Sequence, residues 1–256
     1  MKKFSYALVA GLLSIGLAAC SSNDTKQSKD NDQSSEKQTA QSNQKEQQKQ
    51  LEEMQKKLDS QKIDDKKVVA TVNSDKITGS EYNSALSTIQ GQLQQTGQDT
   101  TTKEGSKEVK KQTVDALVGQ QLILQDAEKK GFKASEDQVD KQLKEEKNQF
   151  KDEKKFEDAL KQSGLTITQL KNDIADSIKY SQYVDKEIKG TSIAEKDIKA
   201  YYDQYAEQAK SQKQKVPAYK DIKSQIKKQL ESQEKQKQVQ KEIKKLKKNA
   251  KIDISI

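Results

Sequence analysis

The sequence predicts a mainly helical domain closed by a small β element and reached through a polar tether. Three observations carry this. Residues 113–131, TVDALVGQQLILQDAEKKG, are the densest apolar segment outside the first twenty residues. At about 100° per residue, Ala116, Leu117, Ile123, Leu124 and Ala127 fall on one side of a helix, and Val114, Val118 and Leu122 near the other. A surface helix buries one stripe, so two stripes predict a central helix with neighbours on both flanks. Next, four capping boxes precede apolar stripes at helical spacing: Thr78 with Glu81, Ser135 with Gln138, Thr166 with Gln169, and Ser192 with Glu195. Last, a β-branched run at 68–72 and a strictly alternating segment at 251–256 flank the helices and are expected to pair.

The chain begins with Lys2 and Lys3, then an apolar run over 6–17 that is short for a membrane span. Leu17-Ala18-Ala19-Cys20 follows and resembles the lipobox of bacterial lipoproteins. That resemblance implies a signal peptide over 1–19, a diacylglycerol on the Cys20 thiol, and a mature chain held at the outer face of the cell membrane. An ordinary secretory signal and a short membrane anchor are the competing readings. Two acyl chains would anchor stably, whereas one would be marginal.

Residues 20–66 read as a lipidated, disordered linker. Ser, Asn, Gln, Asp, Lys and Glu dominate its first half, with too little apolar surface to offset chain entropy. As a coil of about 45 residues it would span roughly 35–40 Å. Leu51, Met54 and Leu58 have i, i+3, i+7 spacing and predict a short helix, a frayed start rather than a coiled-coil seam.

The folded region follows. The run at 68–72 is a strand, Asn73-Ser74-Asp75 a turn, and Lys76-Ile77-Thr78 a second short extended stretch. The first capping box opens a helix carrying Tyr82, Leu86, Ile89 and Leu93. A polar loop over 97–105 leads to the central helix, expected from about 106 to 130 and stopped by Gly131. Val139, Leu143 and Phe150 mark the next helix. Phe156, Ala159 and Leu160 mark a short one ending at Gly164. Leu170, Ile174, Ile178, Ser181, Val184 and Ile188 keep one face of another. The fourth box opens a helix with Ile198, Tyr201, Tyr202 and Tyr205. After the single proline, Pro217, a long helix runs from about 219 to 249 on Ile222, Ile226, Leu230, Val239, Ile243 and Leu246.

Composition narrows the chemistry. Only 30% of the 256 residues are hydrophobic and 34% are charged, so the core is small for the length. There is no His, one Cys and no Trp, and the sequence holds no Arg. Histidine-based triads and His-ligated metals are excluded, as is an intrachain disulfide. No glycine-rich phosphate loop appears among the 10 glycines. No catalytic residue, metal site or cofactor is expected. The formal charge of +8 suits an anionic lipid or envelope polymer. The basic run at 241–251 is the place for such contact, with a solvated helix face as the plainer reading. The leader argues against nucleic acid as partner.

The order of these signals resembles the SurA/PrsA-type extracytoplasmic chaperones. VVATVNSDKITGSEY is similar to their opening, and TVDALVGQQLILQDAEKKGFKASEDQV to their second signature. GLTITQLKNDI, AEKDIKAYYDQY and YKDIKSQIKKQL with the terminal NAKIDISI resemble the later elements. The resemblance covers roughly 67–256. It implies a SurA N-like helical domain over 67–190, with closing helices and a terminal strand over 191–256 packed on it. One departure stands out. A parvulin prolyl-isomerase module usually lies between the Tyr-rich helix and the closing helix, but here only AEQAKSQKQKV separates Tyr205 from Pro217.

The resemblance implies a membrane-anchored chaperone for unfolded or newly secreted proteins, acting without catalysis. Candidate client contacts are Tyr82, Tyr180, Tyr183, Tyr202 and Tyr205; ordinary packing with the hydroxyl at the surface is the competing reading. Gln120, inside the main apolar face of the central helix, is a candidate polar contact to client backbone. The rival functions are a peptidyl-prolyl isomerase of the PrsA/parvulin family and a scaffold lipoprotein binding one envelope partner. A two-lobed transport receptor is weaker, since no alternating βαβ pattern is present.

Overall fold

The computed structural model describes residues 35–190 and 192–256. The expected signal peptide, Cys20 and the start of the linker lie outside the described residues. Two compact units divide between Gln50 and Leu51. In the first, the described residues belong to helix α1, Ser35–Asp59, which continues into the second. This helix is longer than the short helix expected around Leu51, Met54 and Leu58. Its Gln, Lys and Glu residues are strong helix formers. It has little apolar surface to bury, and Leu51 and Met54 stay exposed.

The second unit holds β1 (Val68–Val72), β2 (Asp75–Thr78), α2 (Gly79–Gln95), α3 (Lys103–Lys129), α4 (Glu136–Lys147), α5 (Glu153–Gln162), α6 (Ile167–Glu187), α7 (Glu195–Ser211), α8 (Tyr219–Lys247) and β3 (Ile252–Ile254). The strands form an antiparallel sheet in the order β2-β1-β3. Ala70 lies opposite Ile254 and Val72 opposite Ile252, so the two ends of the folded region pair as expected. Asn73, at φ 58°, makes the left-handed turn between β1 and β2. Its backbone N–H donates to the Lys251 carbonyl at 2.7 Å, and its side-chain oxygen accepts from the Lys251 N–H at 3.0 Å. One turn residue therefore fixes both the hairpin and the return of β3.

The helix signals give α2, α4 and α6 their starts. Thr78, Ser135 and Thr166 each accept from the N3 backbone while Glu81, Gln138 and Gln169 reach back. The fourth box does not form. Helix α7 begins at Glu195 with Ala194 as its cap and no side-chain bond there. The Glu195 carboxylate is taken instead by Lys223 at 2.6 Å and the Tyr219 hydroxyl at 2.8 Å, both on α8. Helix α3 starts at Lys103, before the expected position, because Thr102 accepts from the Gly105 N–H at 3.0 Å. It ends in a Schellman turn: Gly131 has φ 83°, and the Phe132 N–H donates to the Ala127 carbonyl at 2.9 Å. Phe150 lies beyond the end of α4 and is exposed, with its ring against Phe156.

Three apolar clusters make the core. Val69, Val72, Ile77, Tyr82, Leu86, Val109, Val118 and Leu122 join the sheet to α2 and α3. Ile123, Ala127, Tyr183, Val184, Val239 and Ile243 join α3, α6 and α8. Val139, Leu143, Phe156 and Ile174 join α4, α5 and α6. The two-sided reading of the central helix holds from Val118 to Ala127. It fails one turn earlier, where Ala116 is exposed and Leu117 only half-buried. Among the described residues, that stretch of α3 borders a groove, lined there by Ala116 and Leu117. Helix α7 packs on the first half of α8 through Ile198, Ala206, Ala209 and Ile226.

Candidate binding groove

The open stretch of α3 forms one wall of a groove whose other walls are α2, α6 and α8. The main cavity has a volume of about 780 Å³. Its apolar surface comes from Ile89, Ala116, Tyr180 and Ile243, and its polar surface includes Gln112, Gln120 and Gln240. A second cavity of about 500 Å³ runs towards β2 and α2, past Leu117, Leu124 and Leu165. Gln120 and Asp173 line both. The groove exists because α3 meets α8 closely at Gly119. A Cβ there would stand 3.0 Å from the Ile243 Cδ1 atom. The helices touch at that point, and the neighbouring face, Ala116 and Gln120, is left uncovered.

The amides of the groove divide into two kinds. Gln112 donates to Glu108 at 2.8 Å. Gln120 and Gln240 are exposed and bond to no other described residue. Each presents a free donor and a free acceptor beside apolar surface, which is what an extended peptide backbone needs. Charges ring the same space. Lys247 of α8 pairs with Asp115 of α3 at 2.9 Å. Packing by the surrounding walls raises the pKa of the Asp173 carboxyl, and the nearby Asp176 and Glu81 raise it further.

The five tyrosines separate. Tyr180 is half-buried and lines the groove. Tyr82, 1% exposed, belongs to the sheet cluster, and burial raises its pKa. Tyr183, 0% exposed, belongs to the α3–α6–α8 cluster. Its hydroxyl donates to Asp126 at 2.7 Å, Phe132 meets it edge-on at 5.9 Å, and the Lys130 ammonium sits 5.2 Å from its ring. Burial first, then the Asp126 carboxylate, pushes the Tyr183 hydroxyl well above its usual range. Lys130 also bonds Glu187, which holds its ammonium pKa up. These two tyrosines are core residues rather than the client contacts expected, since each lies on the inward stripe of its helix. Tyr202 and Tyr205 stand apart from the groove on α7. The Tyr202 ring meets Tyr219 at 5.2 Å and its hydroxyl donates to the Pro217 carbonyl at 2.9 Å. Tyr205 is exposed. Cys20 lies outside the described residues.

Sequence reasoning missed Ile89, Gln112, Gln240 and Asp173. Gln240 carried no distinctive signal, since Gln225, Gln229, Gln233, Gln236 and Gln238 share its helix. No group of three or more metal-ligating side chains occurs among the described residues. No described helix is long and apolar enough to cross a membrane.

The domain is helical, its terminal strands pair, and a groove runs along its central helix. Residues 59–184 match the family model described as SurA-like N-terminal domain. The match runs from the end of α1 to the end of the α6 core contacts, and the chain is of the SurA/PrsA type. It is similar to the Foldase protein PrsA of Clostridium botulinum (strain Loch Maree / Type A3), 28% identical over 151 residues, which are 54% of this chain and 45% of that protein. It is also similar to the Foldase protein PrsA of Caldanaerobacter subterraneus subsp. tengcongensis, 29% identical over 148 residues, 55% of this chain and 43% of the relative. The chain thus spans less than half the length of these relatives.

Proposed function

We propose that the chain is a membrane-anchored extracytoplasmic chaperone that holds unfolded segments of secreted proteins without catalysing a covalent step. The observation that carries this is the groove along the open face of α3, where the apolar side chains of Ile89, Ala116 and Ile243 stand beside the unpartnered amides of Gln120 on α3 and Gln240 on α8. Such a surface accepts many sequences: the amides meet backbone groups common to all chains, and the apolar positions reward exposed hydrophobic side chains. The foldase name of the relatives supports the same reading. Anchoring rests on a diacylglycerol at Cys20, after removal of residues 1–19, at the outer face of the cell membrane.

The isomerase alternative has less support. Helix α7 ends at Ser211 and α8 begins at Tyr219, so a direct connection stands where the resemblance would place a parvulin module. The test is aggregation of a chemically unfolded client in the presence of the purified chain from residue 21 onward. Slowed aggregation is expected. No effect at several-fold excess contradicts the proposal, and catalysed isomerisation of an X-Pro peptide would restore the enzyme reading. Mass-spectrometric detection of a diacylglyceryl group on Cys20 tests the anchor.

A further inference from the structure

Helix α8 carries a second surface that meets the groove at Gln240 and Lys244 and extends away from it along the lysine-rich side of the helix. Lys237, Lys241, Lys244 and Lys248 recur at i, i+4, i+7 and i+11, which places them on one line about 16 Å long. All four are exposed. Lys237 reaches Glu234 only at 4.0 Å. Lys241, Lys244 and Lys248 make no ion pair among the described residues. The acidic side chains nearby are engaged elsewhere: Glu242 accepts from Lys245 at 3.0 Å and Glu234 from Gln238 at 2.6 Å. The line is held rigidly, because Val239 and Ile243 on the opposite face are buried against α3 and α6. Gln233, Gln236 and Gln240 run beside the first three lysines and complete a shallow trough of about 550 Å³, with Lys248 continuing the row beyond it.

We infer that this trough binds a linear polyol-phosphate polymer, lysines on the phosphodiesters and glutamine amides on the hydroxyls between them. Lysine binds phosphate as a point charge and needs no fixed fork. The surroundings decide between polyanions. A single-stranded nucleic acid needs aromatic platforms for its bases, and residues 230–251 contain no Phe, Tyr or Trp. A membrane surface calls for apolar side chains that enter the lipid beside the cations, and the trough is flanked by glutamines. A narrow row of like charges with neutral hydrogen-bonding groups alongside fits a chain in which phosphates and hydroxyls alternate.

The test is binding of synthetic poly(glycerol phosphate) to the full chain in neutral detergent, by fluorescence anisotropy. With three or more phosphates engaged, affinity is expected to fall about 20-fold between 50 and 200 mM salt. The triple variant Lys241→Gln, Lys244→Gln, Lys248→Gln is expected to weaken binding at least about tenfold and flatten the salt slope by about 2. Arginine at the same three positions should retain binding. A control with the same change of net charge, Lys151→Gln, Lys154→Gln, Lys161→Gln, uses exposed lysines elsewhere and should bind nearly as the parent does. Equal weakening in the control overturns the inference, as does absence of binding at low salt. Stripe-dependent binding that is tighter for a deoxythymidylate oligomer, or for micelles doped with phosphatidylglycerol, overturns the assignment of the occupant.

Discussion

One side of helix α3 divides along its length into a closed face and an open face built from similar residues. In the closed face, Ile123 and Ala127 are buried against α6 and α8. In the open face, a turn or two earlier, Ala116, Leu117 and Gln120 border the groove and stay open or half-open. Gly119 lies near the junction, where an added Cβ would meet Ile243 of α8. The contrast shows that apolar spacing locates surface to be covered without saying what covers it. The first face is covered by this chain. The second is open, and on the proposed reading the amides beside it meet polypeptide backbone.

The largest effects should fall on the closed face. Ile123→Ala removes a 0% exposed side chain from the α3–α6–α8 cluster and is expected to cost about 2–5 kcal/mol in denaturant unfolding. Gly119→Leu forces a side chain against Ile243. It should cost about 1–3 kcal/mol and displace α8, so client protection should change along with stability. Leu117→Ala, at the half-buried border, should cost less than about 1.5 kcal/mol. A loss as large as that of Ile123→Ala would erase the distinction between the faces.

The smallest effect concerns pH. Asp173 has a raised carboxyl pKa in the folded protein. The folded state therefore binds a proton more readily than the unfolded chain, and stability falls as pH rises through the folded value. Asp173→Asn should remove that fall, giving a slight gain at neutral pH that vanishes in strong acid. The exposed position of the residue keeps the effect small. Thermal unfolding of both proteins across pH 3 to 7 measures it; an identical pH dependence in the two contradicts the groove's electrostatics.

Much of the fold was legible because its signals are local. Capping boxes at Thr78, Ser135 and Thr166 each satisfy backbone groups within one turn. Gly131 ends α3 for a reason contained in its own backbone, and the alternation of Ile252 and Ile254 marks a strand wherever the partner lies. The fourth box failed because Glu195 found tertiary partners, Tyr219 and Lys223, that local spacing cannot reveal. The groove was legible only in outline. Gln120 stood out as an amide in an apolar face, but its openness depends on where α8 crosses α3. Tyr82 and Tyr183 misled for the same reason: an aromatic ring with a hydroxyl reads alike at a surface and in a core, and Asp126 is the distant partner that admits Tyr183 to the interior.

On the proposed chaperone reading, clients bind at the open face of α3. The most direct measurement replaces Gln120 with a photo-reactive residue, places a second probe at Lys154 on α5, and irradiates each protein with an unfolded client. Strong crosslinking is expected from position 120 and weak crosslinking from 154, with unchanged thermal stability for both. Equal yields from the two positions, or no yield from 120 while aggregation is still suppressed, would contradict that reading.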